Sequence, residues 1–323
     1  MGRPGQTIRV LQADAVADAA RSGRHDRTPD DDVTVSKSDV INGAPFKQGG
    51  RLLTDEKDPW AFNAWDNVEW TSEQEKVAEE AITRQKQHPV PAALQEQVNA
   101  TPAIQWDNFY ARVKTSFFKD RAWLTKEFPD LERACRADRG PCTVAELGCG
   151  TGATVYPLLK ASENPLLTVH ALDYSHEAIQ LVRSHPDYNV ARVKAAVYDL
   201  ACPGLPEGMA EHSVDIVTCI FVLSALHPRE WHHAASNIWR MLKPGGILLF
   251  RDYGRYDLAQ LRYQKGRYMQ DHLYIRGDNT RCYYFEREDL ISIFSSGEPS
   301  GSARFELDNL GDLAARTLDT ITF

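Results

Sequence analysis

The sequence predicts an α/β protein whose core is a doubly wound, mostly parallel sheet behind an N-terminal helical extension. Three observations predict it. From residue 143 onward, short apolar strands alternate with helical segments, as strand–helix–strand units do. A glycine-rich turn at 148–152 joins the first of those strands to a helix. Upstream, residues 46–140 are rich in aromatics and read as successive helices. The chain therefore divides into a disordered polar tail at 1–45, a helical extension at 46–140 and the sheet domain at 141–323.

Each element has a local reason. Residues 1–45 are rich in Asp, Gly, Ser and Arg without apolar periodicity, a composition that predicts disorder. Arg3, Arg9, Arg21, Arg24 and Arg27 have the character of an import signal, whereas Asp14 and Asp18 oppose it, because such peptides avoid acids. The cytoplasm is the expected compartment and mitochondrial import the alternative. Ser72 with Glu75 three residues on is a capping box that opens a helix over 73–87, and His88-Pro89-Val90-Pro91 stops it. A second helix is expected over Ile104–Phe118 and a third around Arg121–Cys135. Strands are expected at Thr143–Leu147, Thr168–Leu172, Ala191–Val197, Val214–Ile220 and Gly246–Arg251. Arg304–Asn309 reads as a further strand, and Ile321 and Phe323 alternate as a short edge strand would.

Composition bounds the function. A chain of 323 residues with 42% hydrophobic residues can bury one full α/β core with extensions. No run of about eighteen apolar residues occurs, so no membrane span is expected, and no apolar leader points to secretion. The six cysteines form neither a CxxC pair nor a zinc spacing, which predicts reduced thiols and no metal. His232-His233 reads as helix surface. The net charge of −8 opposes a polyanionic partner on average. Distribution matters more than the mean, and residues 251–287 carry eight Lys/Arg against five Asp/Glu.

Residues 144–152 read Val-Ala-Glu-Leu-Gly-Cys-Gly-Thr-Gly, a strand running into a turn before a helix. Gly148, Gly150 and Gly152 allow backbone to approach a ligand where a Cβ would intrude. The spacing is GxGxG rather than the dinucleotide GxGxxG, which disfavours a dehydrogenase. Glu146 sits two residues before the first glycine, where a pyrophosphate would be repelled but a cationic ligand tolerated. Asp173 ends the next strand, where an acid can accept both hydroxyls of a ribose; either it or Ser175 can also cap the helix at 177–183. Asp199 ends the third strand, where it can read an adenine amine or serve as a solvated loop acid. Ile220-Phe221-Val222-Leu223-Ser224 follows the fourth strand and suits an apolar wall beside adenine, or a buried strand end. These features fall in sheet order, each at a strand's carboxyl end, and resemble the Rossmann-like class I S-adenosylmethionine-dependent methyltransferases.

Segments outside that core narrow the resemblance. They are Asn63–Trp70, Trp106-Asp107-Asn108-Phe109-Tyr110, Phe117-Phe118-Lys119-Asp120-Arg121, Arg251-Asp252-Tyr253-Gly254-Arg255-Tyr256-Asp257 and Tyr274–Arg281. Together they resemble the tRNA cytidine N3-methyltransferase family, most of all its threonine-tRNA branch, over residues 46–295. The resemblance implies S-adenosylmethionine as cofactor, methylation of N3 of cytidine 32 in the anticodon loop, and tRNA with a possible protein helper as partners. It also places Trp106, Tyr110, Gly148, Asp173, Asp199, Leu200 and Ile220 at cofactor contacts. Lys119, Arg121, Arg251, Arg255, Arg276 and Arg281 become candidate RNA contacts, against the alternative of a solvated charged surface. After Phe294 the family's basic, aromatic tail is missing, and the expectation is an altered end that weakens RNA affinity.

Cytidine N3 is neutral near pH 7 and has an in-plane lone pair, so it can attack a sulfonium methyl without a general base. Alignment and electrostatics then carry catalysis. Asp252, after the fifth strand, is the candidate carboxylate beside the developing positive charge; its alternative is an ion pair with Arg251 or Arg255. N3 lies on the Watson–Crick edge, so the base must be unpaired and turned out. Competing readings are a methyltransferase for a small molecule or protein, and a catalytically idle RNA-binding module.

Overall fold

A computed structural model describes residues 6–13, 40–41, 44–45, 72–115, 119–295 and 305–310. The Asn63–Trp70 segment, Phe117, Phe118, Ile321 and Phe323 lie outside the described residues, as does most of 1–45. In chain order the first elements are β1 (Gln6–Ala13), the short pair β2 (Val40–Ile41) and β3 (Ala44–Pro45), then α1 (Ser72–Lys86), α2 (Ala92–Ala100) and α3 (Pro102–Val113). α4 (Leu124–Glu127) and α5 (Pro129–Cys135) precede β4 (Cys142–Leu147), α6 (Val155–Ala161), β5 (Leu167–Asp173), α7 (His176–Arg183) and β6 (Val193–Val197). Next come β7 (Val214–Ile220), α8 (Trp231–Met241), β8 (Leu242–Tyr253) and α9 (Leu258–Leu261). The short strands β9 (Tyr268–Gln270), β10 (Leu273–Ile275) and β11 (Arg281–Tyr283), α10 (Arg287–Ser295) and β12 (Phe305–Leu310) follow.

The main sheet has seven strands in the order β12-β1-β8-β7-β4-β5-β6, and every neighbouring pair is parallel. The doubly wound fold expected from the strand–helix alternation is present, with the five expected strands in β4 to β8. Both sheet faces are buried, as a parallel sheet requires. Ala145, Leu147, Val217, Leu248 and Phe250 pack with Ile238 of α8 and Ile293 of α10. Val144, Val169, Ala171, Ile216 and Leu249 pack with Leu131 of α5, Leu158 of α6 and Ile179 of α7. Since α5 joins that second layer, packing runs across the boundary expected at residue 140.

Several elements differ from their sequence expectation. Residues 6–13 form a strand between β8 and β12, where a disordered tail was expected. Its apolar residues are too few to register as a period, and the partners that satisfy its backbone are distant in sequence. The third helix divides at Pro129, which starts α5 and cannot continue α4. α2 was not anticipated; it follows Pro91 and buries Val98. No helix among the described residues is long and apolar enough to cross a membrane.

The helical extension wraps around the sheet domain. Gln85 of α1 donates to the Gln260 carbonyl (2.9 Å) and accepts from the Tyr274 hydroxyl (2.9 Å), which ties α1 to the β9–β11 subsheet. Asp107 of α3 accepts from the Ser175 hydroxyl (2.6 Å) and the Glu177 amide (3.3 Å), which docks α3 on the start of α7. The α7 cap itself is Ser175, whose hydroxyl accepts the Ala178 amide at 3.1 Å.

Candidate active site

Parallel strands put all their carboxyl ends on one edge, and the loops leaving them build one cleft of about 650 Å³. At one end lies the turn after β4. Gly148 (φ +58°) and Gly150 (φ +54°) line the cleft, and each needs glycine for reasons of both backbone and space. A Cβ on Gly148 would stand 2.5 Å from Val222 Cγ2, and one on Gly150 would stand 2.8 Å from the Tyr110 hydroxyl. Gly152 lies outside the lining; its Cβ would meet the Tyr156 ring at 2.4 Å, so it serves the packing of the turn.

Asp173 is the clasp of this end. Its carboxylate accepts the Gly150 amide at 2.8 Å and the Ser175 amide at 2.9 Å, joining the loops after β4 and β5. Burial raises its pKa to about 6, although those amides and that of Tyr174 hold it down. Asp199, half-buried on the cleft wall, accepts from the Ala201 amide (2.8 Å) and the Cys202 thiol (3.0 Å). Leu200 and Ile220 are the apolar lining beside it. Trp106 and Tyr110 line the cleft from α3, stacked with their centroids 5.9 Å apart. Glu146 lies behind the wall, 1% exposed, with no hydrogen-bond partner among the described residues meeting normal geometry; Arg121 approaches to 4.0 Å. Burial pushes its pKa up to about 7, and Arg121 and Thr154 oppose this.

Phe221 lies on the cleft lining, in contact with both Arg121 and Tyr253. It adopts φ +60° at the end of β7, a conformation a bulky residue accepts only when its surroundings enforce it. The enforcement is visible: its amide donates to the Arg251 carbonyl at 2.7 Å, and its ring lies between the Arg121 guanidinium (5.7 Å) and Tyr253 (4.8 Å). Around Tyr253 the lining gathers Arg276, Tyr263 and Tyr284, and it also includes Asp278, Arg281, Lys119, Arg121 and Trp123.

The candidate RNA residues separate in the fold. Lys119, Arg121, Arg276 and Arg281 reach the cleft. Arg281 is 4% exposed and bonds the Ala225 carbonyl (3.1 Å) and Glu230 (3.2 Å), so it braces the turn after β7. Arg251 and Arg255 do not line it, contrary to expectation. Arg251 is buried against the Trp123 ring at 4.9 Å, and Arg255 pairs with Glu286 and stacks on Tyr256. Asp252 also differs from expectation. It is 2% exposed, off the lining, and accepts the Ser224 and Tyr253 amides, both at 2.9 Å. A strand-end acid next to a tight turn finds backbone donors first; here they hold it beneath the cleft wall. Trp123, Tyr263 and Tyr284 were not anticipated. Trp123 follows Arg121 by two residues, a weak local signal, whereas the two tyrosines have none: Tyr263 precedes β9, Tyr284 follows β11, and both rings pack on Tyr274 of β10.

A parallel sheet with this glycine turn, an acid clasping it from the next strand and a covering pair of aromatics defines a class I S-adenosylmethionine-dependent methyltransferase. A methyltransferase domain family model matches residues 145–248. The chain belongs to the tRNA N(3)-methylcytidine methyltransferase family. It is 42% identical over 273 residues to the tRNA N(3)-methylcytidine methyltransferase trm140 of Schizosaccharomyces pombe, covering 83% of this chain and 88% of that protein. It is 40% identical over 310 residues to the tRNA N(3)-cytidine methyltransferase METTL2 of Danio rerio, covering 82% and 88%. The tRNA(Thr) (cytosine(32)-N(3))-methyltransferase of Saccharomyces cerevisiae is 44% identical over 297 residues, 88% of this chain, which spans about half (47%) of that relative.

The cofactor is S-adenosylmethionine, and the donor set fits it. Asp173 and Asp199 are acceptors suited to ribose hydroxyls and an adenine amine, Leu200 and Ile220 are apolar flanks, and the buried Glu146 favours a cation nearby.

Proposed function

We propose that this chain transfers the methyl group of S-adenosylmethionine to N3 of cytidine in tRNA, with cytidine 32 of threonine tRNA as the target and the cytoplasm as the compartment. The observation that carries this reading is a single cleft whose glycine–aspartate end continues into an end lined by tyrosines and arginines. Tyrosine faces and guanidinium groups are what an unstacked nucleobase and its phosphates require. The names of the relatives point the same way.

When bound, the cofactor supplies an electrophilic methyl on a sulfonium. Asp173 holds the ribose, Asp199 reads the adenine amine, and Leu200 and Ile220 flank the adenine. Trp106 and Tyr110 cover the Gly150 side and exclude water. Lys119 and Arg121 grip the RNA backbone beside the entering base. No group needs to remove a proton, because cytosine N3 is unprotonated at neutral pH. Asp252 acts through other residues: by holding the Ser224 and Tyr253 amides it sets the wall on which Phe221 and Tyr253 stand.

The test is incubation of the purified chain with labelled S-adenosylmethionine and threonine tRNA transcripts carrying cytidine or uridine at position 32, followed by nucleoside mass analysis. We expect 3-methylcytidine from the first transcript and no product from the second. A methylated base elsewhere, or label on protein or small molecules alone, would overturn the assignment.

A further inference from the structure

One turn brings two opposite charges to the substrate end of the cleft. Residues 276–280 link β10 to β11, closed by the Arg276 amide donating to the Thr280 carbonyl at 2.8 Å and the Asn279 amide donating to the Arg276 carbonyl at 3.1 Å. Asp278 is pinned within it: its Oδ1 accepts both the amide (2.9 Å) and the hydroxyl (2.7 Å) of Thr280. Its Oδ2 accepts no hydrogen bond among the described residues. The Arg276 guanidinium lies 5.2 Å from the Tyr253 ring centroid and donates to the Cys282 thiol at 3.2 Å. Both side chains line the cleft with Tyr253, Tyr263 and Tyr284.

Cytosine N3 lies between two groups of opposite character, the O2 acceptor and the N4 amino donor. The N3 lone pair must stay bare to attack a methyl group, so recognition falls to its two flanks. A donor for O2 and an acceptor for N4 would select cytosine over uracil. Uracil would set O4 against a carboxylate, and its N3 carries a proton. We infer that Asp278 reads the N4 amino group of the target cytosine and that Arg276 supplies the donor for O2, with Tyr253 beside the base as a stacking face. This rests on the methyl-transfer reading above. It also explains an acid in a pocket for RNA. As N3 gains its methyl, positive charge spreads over N3 and N4, and a carboxylate on N4 meets that charge where it develops.

The experiment uses anticodon-arm RNA of threonine tRNA with either cytidine or a pyrimidin-2-one ribonucleoside at position 32. The latter keeps N3 and O2 and lacks N4. Single-turnover methylation is measured for the wild-type chain, Asp278→Asn and Asp278→Ala. The ratio of the two rates is expected to fall about tenfold or more in Asp278→Ala, and by at least as much in Asp278→Asn, whose oxygen stays on Thr280 and whose NH2 group then faces the N4 amino group as a second donor. A purely structural role in the turn would lower both rates in parallel and leave the ratio at its wild-type value, which overturns the inference. If Asp278→Ala does not fold, the ratio in Asp278→Asn decides, since that variant keeps the acceptor for Thr280. Failure of the wild-type chain to methylate the cytidine RNA would instead overturn the methyl-transfer reading itself, and the inference with it.

Discussion

The two ends of the cleft are built on different principles. The glycine–aspartate end comes from consecutive strand ends, so its parts are close in sequence and held by backbone. The Gly150 amide reaches Asp173 across 23 residues, and Gly148, Asp173, Asp199 and Ile220 lie at the carboxyl ends of β4, β5, β6 and β7 in chain order, strands that are contiguous in the sheet as β7-β4-β5-β6. The tyrosine–arginine end is assembled from the stretch after α3, the end of β8 and the segments around the β9–β11 subsheet. It is braced by side chains spanning far longer separations, such as Gln85 to Tyr274, 189 residues apart. The first kind of site can be specified by a motif. The second depends on docking, and its charges end where packing leaves them, so Arg276 enters the cleft while Arg255 does not.

The largest effect that would break this contrast lies at the clasp. Asp173→Ala removes the acceptor for the Gly150 and Ser175 amides as well as the ribose contact. Cofactor affinity should fall by about 2–4 kcal/mol in calorimetry, whereas tRNA binding should change little. Equal cofactor affinity for variant and wild type would show that the glycine end does not depend on its clasp.

The next effect is one of pH. Glu146 has a folded pKa raised from 4.5 to about 7 by burial. The sign follows: its contribution to stability is fully present below the unfolded value and is lost as pH rises through about 7. Glu146→Gln does not titrate. In the ligand-free protein, the stability of the variant relative to wild type, followed through Tm, should therefore rise between pH 5 and pH 8, by about 2 kcal/mol. Saturating S-adenosylmethionine should narrow the gap. A difference in Tm that stays flat across this range would place the titration elsewhere.

The smallest effect separates the arginines and lysines at the other end. Lys119→Ala should weaken many RNAs about equally and lower the salt slope of binding by about one. Arg255→Ala should leave that slope unchanged, because its guanidinium is bound to Glu286. Its cost should appear in thermal unfolding instead, at no more than about 1 kcal/mol for so exposed a pair. If Arg255→Ala also flattened the salt slope, the division drawn here between cleft and brace would fail.

Sequence alone determined the strand–helix alternation, the five central strands, the glycine turn and the acids at the strand ends. These are local patterns, set by apolar periodicity and by the backbone freedom of Gly148 and Gly150, and they read the same in any context. It also carried the family strings, hence the reaction class. Only the tertiary structure decided which members of those strings face the cleft. RDYGRYD supplies Tyr253 to the lining but turns Arg251 onto Trp123, Asp252 under the wall and Arg255 toward Glu286. A strand alternates its side chains, and a buried carboxylate or guanidinium takes the nearest partner that satisfies it. For β1, whose partners are β8 and β12, those partners lie far away in the chain, and sequence patterns do not record distance in space.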